Sequence, residues 1–240
     1  MKYESKIVAI LLGCIIVLSS CGPSRFVQPL ERGERAVSAS LGGPGINVPG
    51  IGPIPLPLTS VTYGQGVTSG LTVYGSWFTT AAIFGTIQFE AGATQRVWKH
   101  QEKPMGISVS PGFNVATDIF EWNTKFWPQL DANFYWNYDA RFQTQDDVVL
   151  GKKHVPNLLY AGLGSWYELS AVRAHDEPQP TRIIPIIQLG HDYNWKKWSF
   201  KTEMKVIAPF TSNENIVVDY ISLLGNNGAT GLYFGITRKF

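Results

Sequence analysis

The chain has 240 residues with 20 basic and 18 acidic side chains, a formal charge of +2 that gives no footing for a polyanion or nucleic-acid partner. Charged residues make up 16% of it while aromatics reach 13% and glycines number 24. A soluble domain usually carries about 25% charged residues, so the composition leans toward β structure in a membrane and away from a charged soluble surface.

In chain order, the opening "MKYESKIVAILLGCIIVLSSC" sets Lys2 and Lys6 ahead of an apolar run from Ile7 to Leu18, followed by small residues. This is the pattern of a secretory signal. The run is short of the roughly 20 residues needed to span hydrocarbon as a helix, so residues 1–20 are expected to be a cleaved signal peptide. Leu18-Ser19-Ser20-Cys21 resembles the bacterial lipobox, which implies that cleavage leaves Cys21 as an S-acylated first residue. Gly22 stands where Asp would be the familiar inner-membrane retention residue, and the resemblance therefore implies an outer-membrane destination. With Cys14 lost and Cys21 modified, no free thiol remains in the mature chain. Disulfides, cysteine-based metal centres and cysteine nucleophiles are thereby excluded, and no metal or other cofactor is expected. Subtracting Lys2, Lys6 and Glu4 from the 20 basic and 18 acidic residues leaves 18 against 17.

Residues 21–34 are expected to be a tether and residues 35–240 one all-β domain. Ten segments read as strands: 35–43, 55–63, 69–78, 83–92, 105–116, 126–138, 158–171, 182–194, 197–209 and 230–240. The clearest alternate with period two. "FWPQLDANFYWNY" sets Phe126, Leu130, Ala132, Phe134 and Trp136 against Gln129, Asp131, Asn133 and Asn137. "WSFKTEMKVIAPF" sets Trp198, Phe200, Thr202, Met204 and Val206 against Ser199, Lys201, Glu203 and Lys205. The Pro- and Gly-rich stretch from Gly42 to Pro57 is expected not to hold a regular sheet ladder.

The alternation alone fits a soluble barrel with its apolar parity inside, or a membrane barrel with that parity facing lipid. The final strand, "GLYFGITRKF", ends on an aromatic and resembles the C-terminal β-signal of bacterial outer-membrane barrels, with Gly235 and Phe240 placed as that signal requires. Arg238 departs from the aromatic or apolar residue usual at its position. The resemblance implies an antiparallel up-and-down transmembrane barrel of about 10 strands, 8 to 12 being possible, with the lipid bilayer and the outer-membrane assembly machinery as partners and an envelope protein as a further one. Both termini then face the periplasm. The segment 211–229 becomes a long outer loop, the turn near Trp195 to Lys197 a tight periplasmic one flanked by aromatics, and residues 140–157 an unusually long periplasmic connection.

On this reading Lys201, Glu203 and Lys205 point into the lumen, with Glu90, Asp131 and Glu168 as possible partners in a charge network that plugs it. A barrel of about ten strands is little wider than the eight whose interior side chains can fill. The expected role is structural or interactive within the envelope; the alternatives are an envelope enzyme acting on lipid and a narrow channel. No reaction is legible. Some small outer-membrane barrels are lipid A deacylases, palmitoyltransferases or omptin-type proteases, but the His-x-Ser pattern of the deacylases is missing. His175, Asp176 and Glu177 read as solvated charges of an outer loop, and His191 and Asp192 lie on opposite faces of a strand.

Overall fold

A computed structural model describes residues 22–48, 50–140, 155–170, 181–213 and 219–240. Among these the chain forms β1 (Arg35–Val48), β2 (Gly52–Pro55), β3 (Thr59–Thr68), β4 (Leu71–Phe78), β5 (Thr86–Lys99) and β6 (Met105–Asp118). It continues with β7 (Thr124–Trp136), β8 (Leu158–Tyr167), β9 (Ile183–Trp195), β10 (Trp198–Ser212) and β11 (Asn227–Lys239), and one short helix, α1 (Thr79–Ile83), joins β4 to β5.

Each strand pairs antiparallel with its sequence neighbour from β3 to β11, β3 pairs with β1, and β11 pairs with β1. The sheet closes on itself as a ten-stranded barrel. Closure removes free edges, so the backbone polar groups of the wall find partners within it. The eleventh strand, β2, folds back only on the last residues of β1, with Gly45 opposite Pro55 and Val48 opposite Gly52. Here the expectation that the Pro- and Gly-rich stretch holds no ladder is corrected. The hairpin lies beyond the barrel wall, where Pro44, lacking a donor, accepts from Leu56 N, and where Asn47 N donates to Asp219 O.

The strand count is the expected one and several boundaries move. The segment expected at 55–63 is Thr59–Thr68, and that expected at 83–92 runs Thr86–Lys99 behind α1. Both errors fall at the ends of the wall, where an outward residue no longer has to be apolar and the alternation fades. Of the long periplasmic connection only residue 140 and residues 155–157 belong to the described part, and His175, Asp176 and Glu177 lie outside it.

The parity of the wall is inverted relative to a soluble barrel. Leu189, Leu232 and Phe234, beside Met204 and Thr202 in the register, are about half exposed, whereas Glu203 and Lys205 are 3% and 6% exposed inside. Large apolar side chains cover the outside and polar ones fill the lumen. At the rim where β1 begins and β11 ends, called the near rim, Trp136, Tyr193, Trp195, Trp198 and Phe240 are outward. At the far rim, Trp77, Phe89 and Phe126 follow one another across paired strands through Val115. Trp195 and Trp198 face each other across a two-residue turn in which Lys196 takes a left-handed conformation, φ 56°.

Candidate functional site

The lumen is built from the inward parity of all ten wall strands, and most of its side chains are small, hydroxylated or amide. Gln88 donates to Asn114 Oδ1 at 2.8 Å, Gln188 to Asn133 Oδ1 at 2.7 Å, and the hydroxyls of Thr94 and Ser110 pair at 2.9 Å. Such lateral pairs satisfy buried polar groups that would otherwise weaken the wall.

Through this lined space runs the chain's own N-terminal segment. Of the residues expected to be a tether, 22–30 lie inside the barrel and 31–34 lie at its near rim. Gly33 N donates to Gly66 O at the near rim at 2.8 Å, and Gly66 N returns a bond to Glu34 O at 2.9 Å. Leu30 N then reaches Thr72 Oγ1 at 2.7 Å, and Val27 O accepts from Ser108 Oγ at 2.6 Å. Val27 is buried against Tyr135, Leu158 and Tyr160. The wall makes room with glycine: a Cβ at Gly64 would run into the ring of Phe26, and one at Gly66 into the carbonyl oxygen of Glu31.

Two carboxylates hold the deep end. Glu90 on β5 receives Arg25 Nη2 at 2.8 Å and Nε at 3.1 Å, and its other oxygen accepts from Gln129 Nε2 at 2.8 Å. Arg25 also donates to Ser60 Oγ at 3.1 Å. Glu203 on β10 accepts the backbone N–H of Ser24 at 3.0 and 3.1 Å, the hydroxyl of Tyr160, and an ion pair from Lys205 at 3.3 Å. Lys201 donates to Ser24 O at 2.7 Å, stands 3.7 Å from Asp192, and lies over the Tyr160 ring. Buried charges persist only with close, hydrogen-bonded partners; Arg25, Glu90, Glu203 and Lys201 have them, while Asp192 Oδ1 is buried with only the ion pair to Lys201.

The expected network is therefore partly assembled. Lys201, Glu203 and Lys205 share the waist, and Glu90 faces them from β5, but the cation on Glu90 is Arg25. Asp131 is on the inward parity of β7, opposite Ser110 and Gly164. Glu168 follows the last residue of β8, where it accepts Trp127 Nε1 at 2.7 Å and Ser170 N at 2.8 Å, away from Tyr160 and the lysines at that strand's other end. Asp192, unforeseen as a partner, joins Lys201, while His191 faces outward toward Tyr138 Oη at 3.1 Å. Gly235 sits opposite Lys201 and Ser40, where an added Cβ would meet Lys201 Cβ at 3.4 Å, an ordinary contact. Phe240 N donates to Arg35 O at 2.8 Å, and Arg238 lies between the rings of Trp198 and Phe240, 5.5 and 5.0 Å from their centroids. That sandwich accounts for a cation where an aromatic is usual.

Sequence reasoning missed Ser24, Arg25, Val27 and Leu30, because an irregular segment carries no periodicity. The one signal pointing toward it is Gly64 and Gly66 on the inward parity of β3, two missing side chains that leave space for something else.

Beside the segment, between it and β8 to β11, lies a cavity of about 780 Å³. Lys196, Lys197, Lys201 and Lys239 line it together with Asp192 and Asn194. It can hold water, ions or a small solute.

No family model matches the chain, and no curated protein matches it. Among solved structures it is similar to the translocator domain of autotransporter NalP from Neisseria meningitidis, with 8% identity over 99% of this chain and 96% of that one at a TM-score of 0.45. It is also similar to an outer membrane channel from Pseudomonas putida F1, with 9% identity over 92% and 100% at a TM-score of 0.45. The N-terminal β-barrel domain of Pseudomonas aeruginosa OprF matches with 11% identity over 88% and 100% at 0.33. Overlaps this shallow carry nothing about the site.

Proposed function

We propose that the protein is a small outer-membrane β-barrel of the bacterial envelope with a structural or interaction role, matured by removal of residues 1–20 and anchored by lipid on Cys21. Its lumen is obstructed by residues 22–30 and by the charges at the waist, so it holds a place in the membrane and does not conduct freely. The observation that carries this reading is the inverted parity of the wall, since a surface of Leu, Phe and Trp between two aromatic girdles suits lipid and not water. The near rim then faces the periplasm, and Gly235 and Phe240 belong to the strand presented to the assembly machinery.

The test is a set of single cysteines at positions 200, 202, 204 and 206 and at 201, 203 and 205, labelled with a fluorophore in vesicles that contain a lipid-borne quencher. Quenching of the first set alone is expected. Equal quenching of both sets, or of neither, would sink the membrane assignment.

The lysine-lined cavity favours a second reading, a narrow channel whose path the N-terminal segment blocks. In planar bilayers the intact protein should be silent and a variant lacking residues 22–33 should conduct. Silence of the well-folded deletion variant removes the channel reading.

A further inference from the structure

The N-terminal segment has a direction, and the direction decides where anything attached to its start must be. The chain enters at the near rim between Glu34 and Gly66 and runs away from it, past Thr72 and Ser108, to Ser60 and Glu90. Ser60 is the second residue of β3 at its far end, and the ring of Phe78, the last residue of β4, stands 3.3 Å from where a Cβ on Gly22 would be. From Gly66 to Ser60 the strand runs six residues, roughly 20 Å along its own axis and about 15 Å in height at a usual barrel tilt. Gly22 is therefore beside Phe78, at the far end of β3 and β4.

The far rim at this place is apolar in a way the wall does not require. α1 begins directly after Phe78, and at its C-terminal end Ile83 and Phe84 are exposed, Ile83 at 79%. The neighbouring loop presents Phe120 and Trp122, 67% and 73% exposed. This presentation is built: Ile119 N donates to Gly85 O at 2.9 Å, a Cβ at Gly85 would strike the Phe120 ring, and Asp118 Oδ1 accepts from Phe120 N at 2.7 Å and Glu121 N at 3.0 Å. Exposed apolar clusters of this kind, past the aromatic girdle, mark contact with something apolar.

We propose that the lipid on Cys21 is carried through the barrel and lies at the far rim against Ile83, Phe84, Phe120 and Trp122. The inference rests on the reading of Cys21 as the lipidated residue. It places the anchor in the leaflet opposite the near rim, the outer one, so the wall assembles around a segment already bearing its lipid. The way back to the near leaflet is closed by the Ser24–Glu203 and Arg25–Glu90 contacts and by Val27 packed among Tyr135, Leu158 and Tyr160.

The test uses the full chain in cells fed a fatty acid bearing a diazirine, with ultraviolet crosslinking and peptide mass analysis. Crosslinks to peptides containing residues 79–84 or 119–123 are expected. Crosslinks confined to the near girdle, residues 193–198 and 240, overturn the proposal and leave Cys21 lipidation standing. Failure to label, with Cys21→Ala indistinguishable from the parent, removes both. A second measurement asks whether the lipid-bearing chain keeps its segment in the lumen. Val27→Cys with Ser108→Cys, treated in cells with a short bismaleimide, should crosslink in the fatty-acid-labelled fraction, and absence of that crosslink from the labelled fraction overturns the threaded path.

Discussion

The two faces of the wall obey different rules. Outward residues repeat with period two and answer to one condition, that the surface be apolar; Leu189, Leu232 and Phe234 could exchange places with little consequence. Inward residues answer to named partners far away in the chain: Arg25 and Glu90 are 65 residues apart, and Ser24 and Glu203 are 179 apart. A face specified by its solvent tolerates graded change, while one specified by pairings fails at single positions. The contrast can be broken or sharpened by substitution.

The largest effect is expected at Arg25→Met. Removing one member of a buried ion pair leaves the other uncompensated, at a cost of roughly 3 to 5 kcal/mol. Glu90 would keep Gln129 alone, which donates but carries no charge. Unfolding in urea with the folded form followed on gels should show that loss, and Arg25→Met combined with Glu90→Gln should recover part of it. A single variant as stable as the parent would mean that the segment is not seated at Glu90.

Next in size is Met204→Arg on the outward face, where a cation near the bilayer midplane costs roughly 2 to 4 kcal/mol. The same measurement applies, and the loss should shrink as the Arg is moved along the same face of β10 to position 200, toward the near girdle. A cost independent of depth would argue against lipid on that face.

The two faces also differ in how much of them can be read from sequence. Trp198, Phe200, Met204 and the strand Thr124–Trp136 are legible because burial against one medium imposes alternation, and alternation survives without knowledge of neighbours. The even strand count follows from the same signal. Arg25 is illegible because its position depends on a carboxylate in another strand and on Gly64 and Gly66 clearing a path, and none of these leaves a local pattern. Glu90 and Glu168 look equivalent in sequence, both acidic on an inward parity. They separate by their surroundings: Glu90 meets Arg25 and Gln129 in the lumen, and Glu168 lies past the last residue of β8 beside Trp127 and Ser170. The hairpin of β1 and β2 was hidden by prolines that rule out a central ladder yet suit an isolated ribbon.

A smaller effect on stability is expected from deleting Phe240, though a larger one on biogenesis. The residue contributes one ring, which is 59% exposed, and one backbone bond to Arg35 at the seam where β11 meets β1. A fully buried side chain of this kind is worth roughly 1.5 to 3 kcal/mol, and this one is worth less. The truncated chain should accumulate unassembled in cells and yet, refolded in detergent, run as a compact band that shifts on heating. Normal assembly in cells would detach Phe240 from any signal role.

The smallest effect is expected at Lys201→Arg, and it separates the closed waist from the open cavity beside it. Lys201 has the same charge and nearly the same depth as Arg25, and it too holds the segment, through Ser24 O. What differs is how firmly the head group is held. Both side chains line the 780 Å³ cavity, but the Arg25 guanidinium is clasped by Glu90 and Ser60 and lies over Phe78. Lys201 borders the 780 Å³ cavity, so a larger planar cation has somewhere to go while still donating to Ser24 O and facing Asp192. Overpacking in a filled interior typically costs about 1 to 3 kcal/mol, and the cavity should hold the change below about 1 kcal/mol. Urea midpoints for Lys201→Arg and the parent should nearly coincide. A loss approaching that of Arg25→Met would show that the cavity floor is packed as tightly as the waist, and that the distinction between them is one of shape without mechanical consequence.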